Sequence, residues 1–274
     1  MSTPTLLALL AHPDDESMGF GGTLAKYAAA GVEVVVLSAT RGDAGRYCGH
    51  APGQPAHPGA EALAVLREAE LRAAATVLGV REVIVLDYLD QQVDRADPGE
   101  VIGVIAAHIR RLRPHVVVTF GPDGAYGHPD HVAVSQFATA AVVAAARPAG
   151  GGAGDAGAPG HVVSKLYYLA WPASAWQAFE LAFRRLVSTV DGHERQATPW
   201  PDWAITTVID TRAHWRTAWQ AVSCHTSQVT AYERMRDLAP EHHEALWGWQ
   251  SFYRVFSMVN GGRQRETDLF EGIL

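Results

Sequence analysis

The feature that most constrains the fold is an apolar run that ends abruptly in a polar cluster, and it occurs twice. Leu6–Ala11 contains no polar residue and leads directly into His12-Pro13-Asp14-Asp15-Glu16. Val116–Phe120 leads, after a short loop of Gly, Pro and Asp, into His128-Pro129-Asp130-His131. A strand that is buried on both faces of a parallel sheet has such a run. The sequence therefore predicts two buried strands that each carry a polar site at the carboxyl end.

Apolar runs alternate with helical patterns over the first half of the chain. Strands are predicted near residues 5–10, 33–38, 82–86 and 115–119, and helices near residues 20–30, 61–78, 99–112 and 130–146. This order predicts an α/β, Rossmann-like fold with a mostly parallel sheet, right-handed connections and helices on both faces. Such sheets bind ligands beyond the carboxyl ends of their strands, so we expect the two motifs to converge.

A stretch of Gly, Ala and Pro divides the chain. We predict a catalytic core over residues 1–146, a Gly/Ala-rich loop over 147–161 and a C-terminal part over 162–274, all within one compact domain. The C-terminal part is expected to complete the sheet as an α+β elaboration, with strands near residues 163–169, 204–209 and 251–258 and a helix near 211–223. It holds all 8 Trp residues, for which core packing is the first interpretation and a role in substrate choice or assembly the second.

The spacing within each motif suits a metal site. His12 and Asp15 are three residues apart, as are His128 and His131, so each pair can point one way from the first turn of a helix. Imidazole and carboxylate suit zinc or a similar divalent ion, and a catalytic zinc site keeps three protein ligands and one open position. The remaining aspartates and one spare ligand-type side chain would serve in acid-base catalysis. Spacing alone does not select the three ligands.

Two other classes of protein compete with a metal-dependent enzyme. In a nucleotide-binding Rossmann protein without hydrolase activity, the motifs would be helix caps, which Asp often provides. However, Gly19, Gly21 and Gly22 do not form Gly-x-Gly-x-x-Gly, and acidic residues stand where a phosphate would lie. A metal-binding protein that has lost catalysis is the other alternative, although binding a metal would not require Asp14 or Asp130.

Taken together, the two motifs resemble the PIG-L/LmbE-like family of zinc-dependent N-acetylglucosamine deacetylases, which includes the deacetylases of mycothiol and bacillithiol biosynthesis and related amidases. The resemblance covers roughly residues 5–230. It implies Zn²⁺, or Fe²⁺ in the cell, bound by His12, Asp15 and His131. It also implies removal of an acetyl group from an N-acetylglucosaminyl conjugate by a water that the metal activates. An amidase of a thiol-sugar conjugate and a deacetylase of a glycosylated natural product are alternatives with the same site.

The resemblance also assigns catalytic roles. Asp14 matches the family's catalytic base, and His128 matches a histidine that stabilises the oxyanion or acts as an acid. Asp130 matches the carboxylate that orients this histidine, and Tyr126 matches a mobile tyrosine that reaches the oxyanion. A protonated His128 would place positive charge or a hydrogen-bond donor against the developing oxyanion.

Weaker matches suggest substrate-binding residues. Asp43 follows Thr40-Arg41-Gly42 and replaces the Glu of a family Thr-x-Gly-Glu loop, which shortens its reach. Arg67 resembles an arginine that binds substrate hydroxyls, and Asp90 a sugar-binding aspartate. His225 begins a segment similar to His-x-[Ser/Thr]-Gln, which implies a contact with the substrate or with residues around the ligands. The structural alternative for Arg67 is a solvated helix residue that pairs with Glu70.

Composition limits the partners and the compartment. A formal net charge of −7 without a basic cluster argues against nucleic acid and anionic membranes and leaves a small-molecule substrate. Cys48 and Cys224 form no Cys-x-x-Cys, which favours free thiols in a reducing compartment. The N-terminus has no signal-peptide pattern, so a cytoplasmic location is expected, and a homo-oligomer stays open.

Overall fold

The fold is built on one seven-stranded sheet. The computed structural model describes residues 3–149, 157–183, 187–190, 192–228, 235–260 and 264–273. The strands of this sheet are β1 (Thr5–Leu10), β2 (Glu33–Thr40), β3 (Glu82–Tyr88), β4 (Val116–Thr119), β5 (Lys165–Leu169), β8 (Thr207–Asp210) and β9 (Trp249–Ser257), in the order β3-β2-β1-β4-β5-β9-β8. A separate hairpin consists of β6 (Val187–Val190) and β7 (His193–Gln196).

The neighbouring strands β3, β2, β1, β4 and β5 pair in parallel, and β9 runs antiparallel to both of its neighbours, so that β8 has the same direction as the first five. In the register of the sheet, Ala8 of β1 lies opposite Val36 of β2 and Val118 of β4. Every residue of β1 and β4 is buried, which explains why their sequences show no polar alternation. The predicted α/β class with a mostly parallel sheet is confirmed.

Helices cover both faces of the sheet. They are α1 (Asp15–Met18), α2 (Gly21–Ala29), α3 (Ala60–Leu78), α4 (Pro98–Leu112), α5 (Gly124–Gly127), α6 (Pro129–Ala145), α7 (Trp176–Phe183), α8 (Trp215–Val222) and α9 (Pro240–Trp247). The chain passes from β1 to β3 towards one edge and then returns to β4 on the other side of β1. Right-handed connections put the two sets of helices on opposite faces, where α4 contacts α6 and α8 contacts α2 and α3. No described helix is both long and apolar enough to span a bilayer.

The C-terminal part completes the sheet as predicted and adds further elements. The strands expected near residues 163–169, 204–209 and 251–258 correspond to β5, β8 and β9, and the expected helix corresponds to α8. The β6–β7 hairpin and α7 have no counterpart in the sequence-based prediction, whereas α9 begins at Pro240, where the sequence indicates a helix start. Residues 150–156 of the predicted loop lie outside the described residues, and the division of the chain into a core and a C-terminal part stays a prediction.

The Trp residues divide between core and surface. Trp215 and Trp247 are buried and, together with Trp219, surround the ring of His243. Trp203 is 87% exposed. Core packing therefore accounts for the cluster on α8 and α9, whereas Trp203 lies on the surface.

Candidate metal centre and active site

Both polar motifs lie at the carboxyl ends of neighbouring strands. The first motif begins right after β1, and the second follows β4, which pairs directly with β1. The chain leaves these two strands towards opposite edges of the sheet, and open α/β sheets bind ligands in the crevice at such a point. His12 and His131, which are 119 residues apart in the sequence, are in contact there.

Donor atoms of the three expected ligands form a small triangle. His12 Nδ1 lies 3.2 Å from His131 Nε2. Asp15 closes the triangle, with Oδ1 at 3.3 Å from His131 Nε2 and Oδ2 at 3.7 Å from His12 Nδ1. Ligands of a tetrahedral zinc ion lie about 3.4 Å from one another. The three side chains are buried and thus match the size and chemistry of a zinc site.

Other potential donors surround the same histidine. Donor atoms of His128 lie within 4.8 Å of those of His12 and His131, and Asp90 and Asp130 form a second such group with His12. The distances between donor atoms are therefore compatible with more than one set of metal ligands. The hydrogen bonds of His12 distinguish the roles of these residues.

The second ring nitrogen of His12 faces two carboxylates. His12 Nε2 lies 3.0 Å from Asp90 Oδ1 and 3.1 Å from Asp130 Oδ2. A metal-binding imidazole usually donates its other N–H to a carboxylate or a carbonyl, which fixes the tautomer and the orientation of the ring. Asp90 and Asp130 are placed to hold His12 in this way, so that Nδ1 is directed at His131 and Asp15.

This arrangement differs from the expected roles of Asp130 and Asp90. The Asp130 carboxylate accepts the backbone N–H groups of Gln91 (2.6 Å) and Val93 (3.1 Å), and within the described part of the chain it makes no hydrogen bond to His128. Residues two apart at a helix start point in different directions, which separates the two side chains. Asp90 contacts His12, and its predicted contact with a sugar stays a prediction.

Asp43 and Asp90 connect two loops at the rim of the site. Asp43 Oδ1 accepts the Asp90 N–H at 3.2 Å, and Asp90 Oδ2 accepts the Ala44 N–H at 3.2 Å. The loop after β2 thus supports the carboxylate that holds His12. In this structure Asp43 acts on the position of Asp90, and its predicted contact with the substrate stays a prediction.

The cluster is electrostatically suited to a cation. Burial lowers the pKa of His12, but Asp90, Asp130 and Asp15 outweigh this effect and raise it well above its usual value. Burial raises the pKa of Asp15 to about 7. Burial, together with the charge on His12, lowers the pKa of His131 far below its usual value, which keeps this ring neutral. A divalent ion would displace the proton of His12 and neutralise the carboxylates.

Asp14 has a strained backbone that several contacts maintain. Its φ of 116° lies in the left-handed region, which costs a non-glycine residue roughly 1–3 kcal/mol. Glu16 Oε2 accepts the Asp14 N–H at 3.0 Å, and Arg67 Nη2 donates to Asp14 Oδ2 at 3.1 Å. The Asp14 side chain is 18% exposed, which is more than the side chains of Asp15, Asp90 and Asp130. Its carboxylate therefore stays partly accessible next to the expected ligand Asp15 in the sequence.

Arg67 is buried at the base of the site. Its guanidinium donates to the carbonyls of Gly42 and Pro13 in addition to Asp14. Gly42 has a φ of +68°, and an added Cβ would lie 2.3 Å from Arg67 Nη1, so only glycine fits there. The interpretation of Arg67 as a solvated helix residue is wrong. The bonds to the two carbonyls fix the guanidinium of Arg67, which then holds the Asp14 carboxylate. The expected contact of Arg67 with substrate hydroxyls stays a prediction.

His128 begins α6 and faces a cavity. Its Nδ1 accepts the Asp130 backbone N–H at 3.2 Å, so the proton of the neutral ring is on Nε2. Burial and the charge on His12 lower the pKa of His128 to about 4. The ring is therefore a neutral Nε2–H donor, not the protonated group that the sequence led us to expect.

The cavity beside His128 has a volume of about 900 Å³. It is lined on one side by His128 and Tyr126 and on the other by β6. Ser188 of β6 donates a hydrogen bond to the Tyr126 carbonyl at 3.3 Å, and a Cβ on Gly127 would lie 2.6 Å from Arg195 Cβ. The hairpin thus packs closely against the loop before α6. A volume of this size accommodates a substrate as large as a disaccharide.

His225 lies below the site and is fully buried. Its Nε2 lies 2.7 Å from Glu16 Oε1, and Ser17 Oγ donates to the same oxygen at 2.5 Å. Because both Glu16 and His225 are 0% exposed, this structure favours the second expected role of His225, a contact with residues around the ligands, over direct contact with the substrate. The pair instead supports the turn at Asp14 through Glu16.

Several residues that shape the site belong to no motif that would identify them in the sequence. The ring of Phe120 stacks on that of His131 with centroids 4.0 Å apart, which restricts rotation of the imidazole. Glu70 accepts hydrogen bonds from Thr226 Oγ1 (2.7 Å) and Ser227 Oγ (2.6 Å) and so fixes the segment that contains His225. Glu70 follows Arg67 by about one helical turn. Its partner Thr226 is 156 positions away, so no local pattern predicts this contact.

The buried Glu16–His225 pair should make stability depend on pH. Burial opposes ionisation of both groups, but their mutual attraction outweighs it, which lowers the pKa of Glu16 and raises that of His225. The stability that Glu16 contributes is present above its ordinary pKa of 4.5 and is lost as the pH falls through its lowered pKa. The contribution of His225 is present below 6.5 and is lost as the pH rises through its raised pKa.

Denaturant unfolding of the metal-free protein would measure this effect. His225→Gln is expected to lower the free energy of unfolding by about 3–5 kcal/mol between pH 4.5 and 6.5 and by less on either side. His243→Gln is a matched control, because His243 is also buried but bonds to the carbonyl of Met235. A difference for His225→Gln that stays constant from acid to alkaline pH would contradict the ion pair.

Comparison with known proteins identifies the family. The family model described as "PIG-L: GlcNAc-PI de-N-acetylase" matches residues 7–142. A 1D-myo-inositol 2-acetamido-2-deoxy-alpha-D-glucopyranoside deacetylase from Kineococcus radiotolerans is 37% identical to this chain over 310 aligned residues, which cover 98% of this chain and 82% of that protein. The chain belongs to the PIG-L family. The resemblance seen in the two motifs is thereby confirmed.

Solved structures with the same fold include members with different activities. N,N'-diacetylchitobiose deacetylase from Pyrococcus horikoshii is 19% identical, with a TM-score of 0.64 over 93% of this chain and 84% of that one. GalB, a 4-carboxy-2-hydroxymuconate hydratase from Pseudomonas putida KT2440, is 20% identical, with a TM-score of 0.68 over 96% of this chain and 99% of that one. The shared fold alone therefore does not specify the reaction, which must be argued from the site.

Proposed function

We propose that this PIG-L protein is a zinc-dependent hydrolase that removes the acetyl group from an N-acetylglucosaminyl conjugate. The observation that carries the proposal is the buried triangle of His12, Asp15 and His131 with the Asp14 carboxylate beside it. The named relative from Kineococcus acts on a glucosaminide of inositol, which supports a sugar conjugate as the substrate.

In this proposal, His12, Asp15 and His131 bind the metal. Bound zinc would lower the pKa of a water molecule and polarise the acetyl carbonyl. Ferrous iron suits the same set of two imidazoles and one carboxylate. Asp90 and Asp130 orient His12 through its Nε2–H, and Phe120 orients His131.

The remaining side chains handle protons and charge. Asp14, held by Arg67, accepts a proton from the attacking water. The Nε2–H of His128 donates to the oxygen that becomes negative when the carbonyl is attacked. Tyr126 lines the cavity next to His128, with ring centroids 5.8 Å apart. Its hydroxyl is a second hydrogen-bond donor on that side of the cavity.

An assay of amine release would test the proposed reaction. We expect the zinc-loaded protein to release one free amine per molecule of N-acetylglucosaminyl inositol, because the proposed site hydrolyses the amide bond of the acetamido group. A panel of other N-acetylglucosamine conjugates, including thiol-sugar amides and glycosylated natural products, would define the aglycone. Asp14→Asn serves as the inactive control. Failure to release amine from any of these conjugates, with about one equivalent of zinc bound, would refute the proposal.

A further inference from the structure

The loop between β4 and α6 carries two side chains that are proposed to act on the oxyanion. It contains α5 and ends with Tyr126 and His128. Its backbone is strained at Ala125, whose φ of 63° lies in the left-handed region that a residue with a Cβ seldom adopts. Such a conformation persists only where surrounding contacts fix it. The contacts of this loop therefore determine the positions of both side chains.

Asp123 begins the strained turn and is held from outside the loop. Its backbone carbonyl accepts the N–H of Gly127, the residue before His128, at 2.9 Å. Its Oδ2 accepts the indole N–H of Trp200 at 3.3 Å. Burial raises the pKa of the Asp123 carboxyl, and the N–H groups of Trp200 and Ala125 oppose this rise in part. A half-buried carboxylate thus connects the turn to a residue that is 77 positions away.

Trp200 is itself fixed by the C-terminal part of the chain. Its backbone N–H donates to the Trp171 carbonyl at 2.7 Å. Its ring lies beside that of Tyr253 on β9, with centroids 5.5 Å apart. A Cβ on Gly121 would lie 2.9 Å from Trp200 Cζ2, so the indole also packs closely on the start of the loop. The sheet therefore supports the N–H group that Asp123 accepts.

The other side of the turn packs against the first turn of α6. A Cβ on Gly124 would lie 2.7 Å from Val132 Cγ2 and 3.4 Å from the Cβ of His131, an expected metal ligand. The turn is thus enclosed between Trp200 on one side and α6 on the other. A shift of Asp123 would therefore displace the backbone that leads to His128.

We propose that Asp123, through its bond to Trp200, is a positioning residue that sets the orientation of Tyr126 and His128 towards the oxyanion. Both of these side chains line the cavity, whereas Asp123 is not part of its lining in the described part of the chain. This inference rests on the proposed function and adds the source of its preorganisation. Donors stabilise a developing charge when they are held in place beforehand, and a misplacement of about 1 Å can cost roughly a hundredfold in rate.

Kinetics on three zinc-loaded variants would test this role. Asp123→Ala removes the acceptor, and the φ of −78° at this position suits alanine. It should lower kcat for N-acetylglucosaminyl inositol about 10–100-fold, with KM within about threefold and the zinc content unchanged. Trp200→Phe keeps a ring beside Tyr253 but removes the N–H, and should lower kcat about three- to tenfold. Asp123→Asn keeps an acceptor oxygen and should stay within about threefold of the wild type.

A double variant tests whether the two residues act through one bond. Asp123→Ala combined with Trp200→Phe should have the kcat of Asp123→Ala alone, because both changes break the same contact. Losses of kcat that multiply would contradict a shared role.

Hydrogen exchange followed by NMR reports on the loop without any turnover. The amide of Gly127 should exchange at least about tenfold faster in Asp123→Ala and Trp200→Phe than in the wild type, whereas the amides of β1 keep their rates. An equal acceleration at Gly127 and in β1 would show a general loss of stability and would overturn the positioning role.

Asp268→Ala provides the matched control. Asp268 also accepts a hydrogen bond from an aromatic side chain, the hydroxyl of Tyr27, at 2.8 Å. It follows Glu266, which pairs with Lys165 at the first residue of β5 and thus at the end of the sheet opposite the site. Both kcat and the exchange of the Gly127 amide should stay within about twofold of the wild type.

The outcomes separate this inference from the proposed reaction. An unchanged kcat in Asp123→Ala, a change in KM alone, or an Asp123→Asn variant as slow as Asp123→Ala would overturn the positioning role, while amine release by the wild type would still support the deacetylase. If the wild type releases no amine from any conjugate but Gly127 exchanges faster in both variants, the deacetylase is refuted and the anchoring of the loop by Asp123 is supported.

Discussion

Asp14→Asn is expected to lower kcat by about 10²–10⁴-fold while the protein keeps its metal. Asparagine retains an amide oxygen for the hydrogen bond from Arg67 and tolerates the left-handed backbone at this position. It cannot accept a proton from the attacking water, so the chemical step should fail and binding should not. Saturation kinetics with N-acetylglucosaminyl inositol, together with the zinc content of the same samples, would measure both properties.

A matched variant excludes a general disturbance of the loop. Asp43→Asn makes the same chemical change at a half-buried carboxylate that contacts the backbone of Asp90 and not the metal ligands. Its effect on kcat should be at least tenfold smaller than that of Asp14→Asn, since loss of one neutral hydrogen bond costs about 1 kcal/mol. Near-normal turnover by Asp14→Asn would show that another group is the base.

His12→Ala is expected to abolish metal binding and, with it, turnover. His12 is the point at which the triangle of donors and the two supporting carboxylates meet, so its loss removes a ligand and leaves Asp90 and Asp130 without their partner. We expect the Kd for zinc to rise by more than about a hundredfold, which exceeds the usual effect of removing an outer partner. Competition with a chromophoric chelator would measure the Kd.

Three further variants test the choice of ligands. His128→Ala should keep zinc at nearly wild-type affinity and lose activity, because His128 is assigned to the oxyanion. His131→Ala should lose zinc like His12→Ala. Asp130→Asn should weaken zinc binding roughly 10–100-fold by releasing the His12 ring. A large loss of zinc in His128→Ala would instead support the group of His12, His128 and His131 as the ligand set.

Much of the fold follows from patterns that are short in sequence. The continuous apolar runs predict β1 and β4, and the helical periodicity after each strand predicts α2, α3, α4 and α6 close to their observed positions. Such signals are strong because burial on both faces, or on one helical stripe, acts on neighbouring residues. The β6–β7 hairpin lacks an apolar alternation because its strands are mostly exposed, so this signal does not reveal it.

The contacts of the site residues depend on segments that are distant in the sequence, so local patterns predict them less well. The roles proposed for these residues, the cytoplasmic location and the state of assembly all stay predictions. His225 was expected to contact either the substrate or residues around the ligands, and the structure pairs it with Glu16, which is 209 residues away in sequence. Asp130 was expected beside His128, but the first turn of α6 directs its carboxylate to His12. In each case the residue type indicated a polar role near the site, but the sequence did not predict which residue it would contact.

The sequence by itself determined the chemistry available to this protein: two polar motifs with ligand-type side chains three residues apart, each at the end of a buried strand. That information is local, since i,i+3 spacing and strand burial need only a few residues. The tertiary structure alone decided that His12 directs Nδ1 to His131 and Nε2 to Asp90 and Asp130. Such choices depend on how distant segments pack together, because each hydrogen bond joins residues that are far apart in the chain.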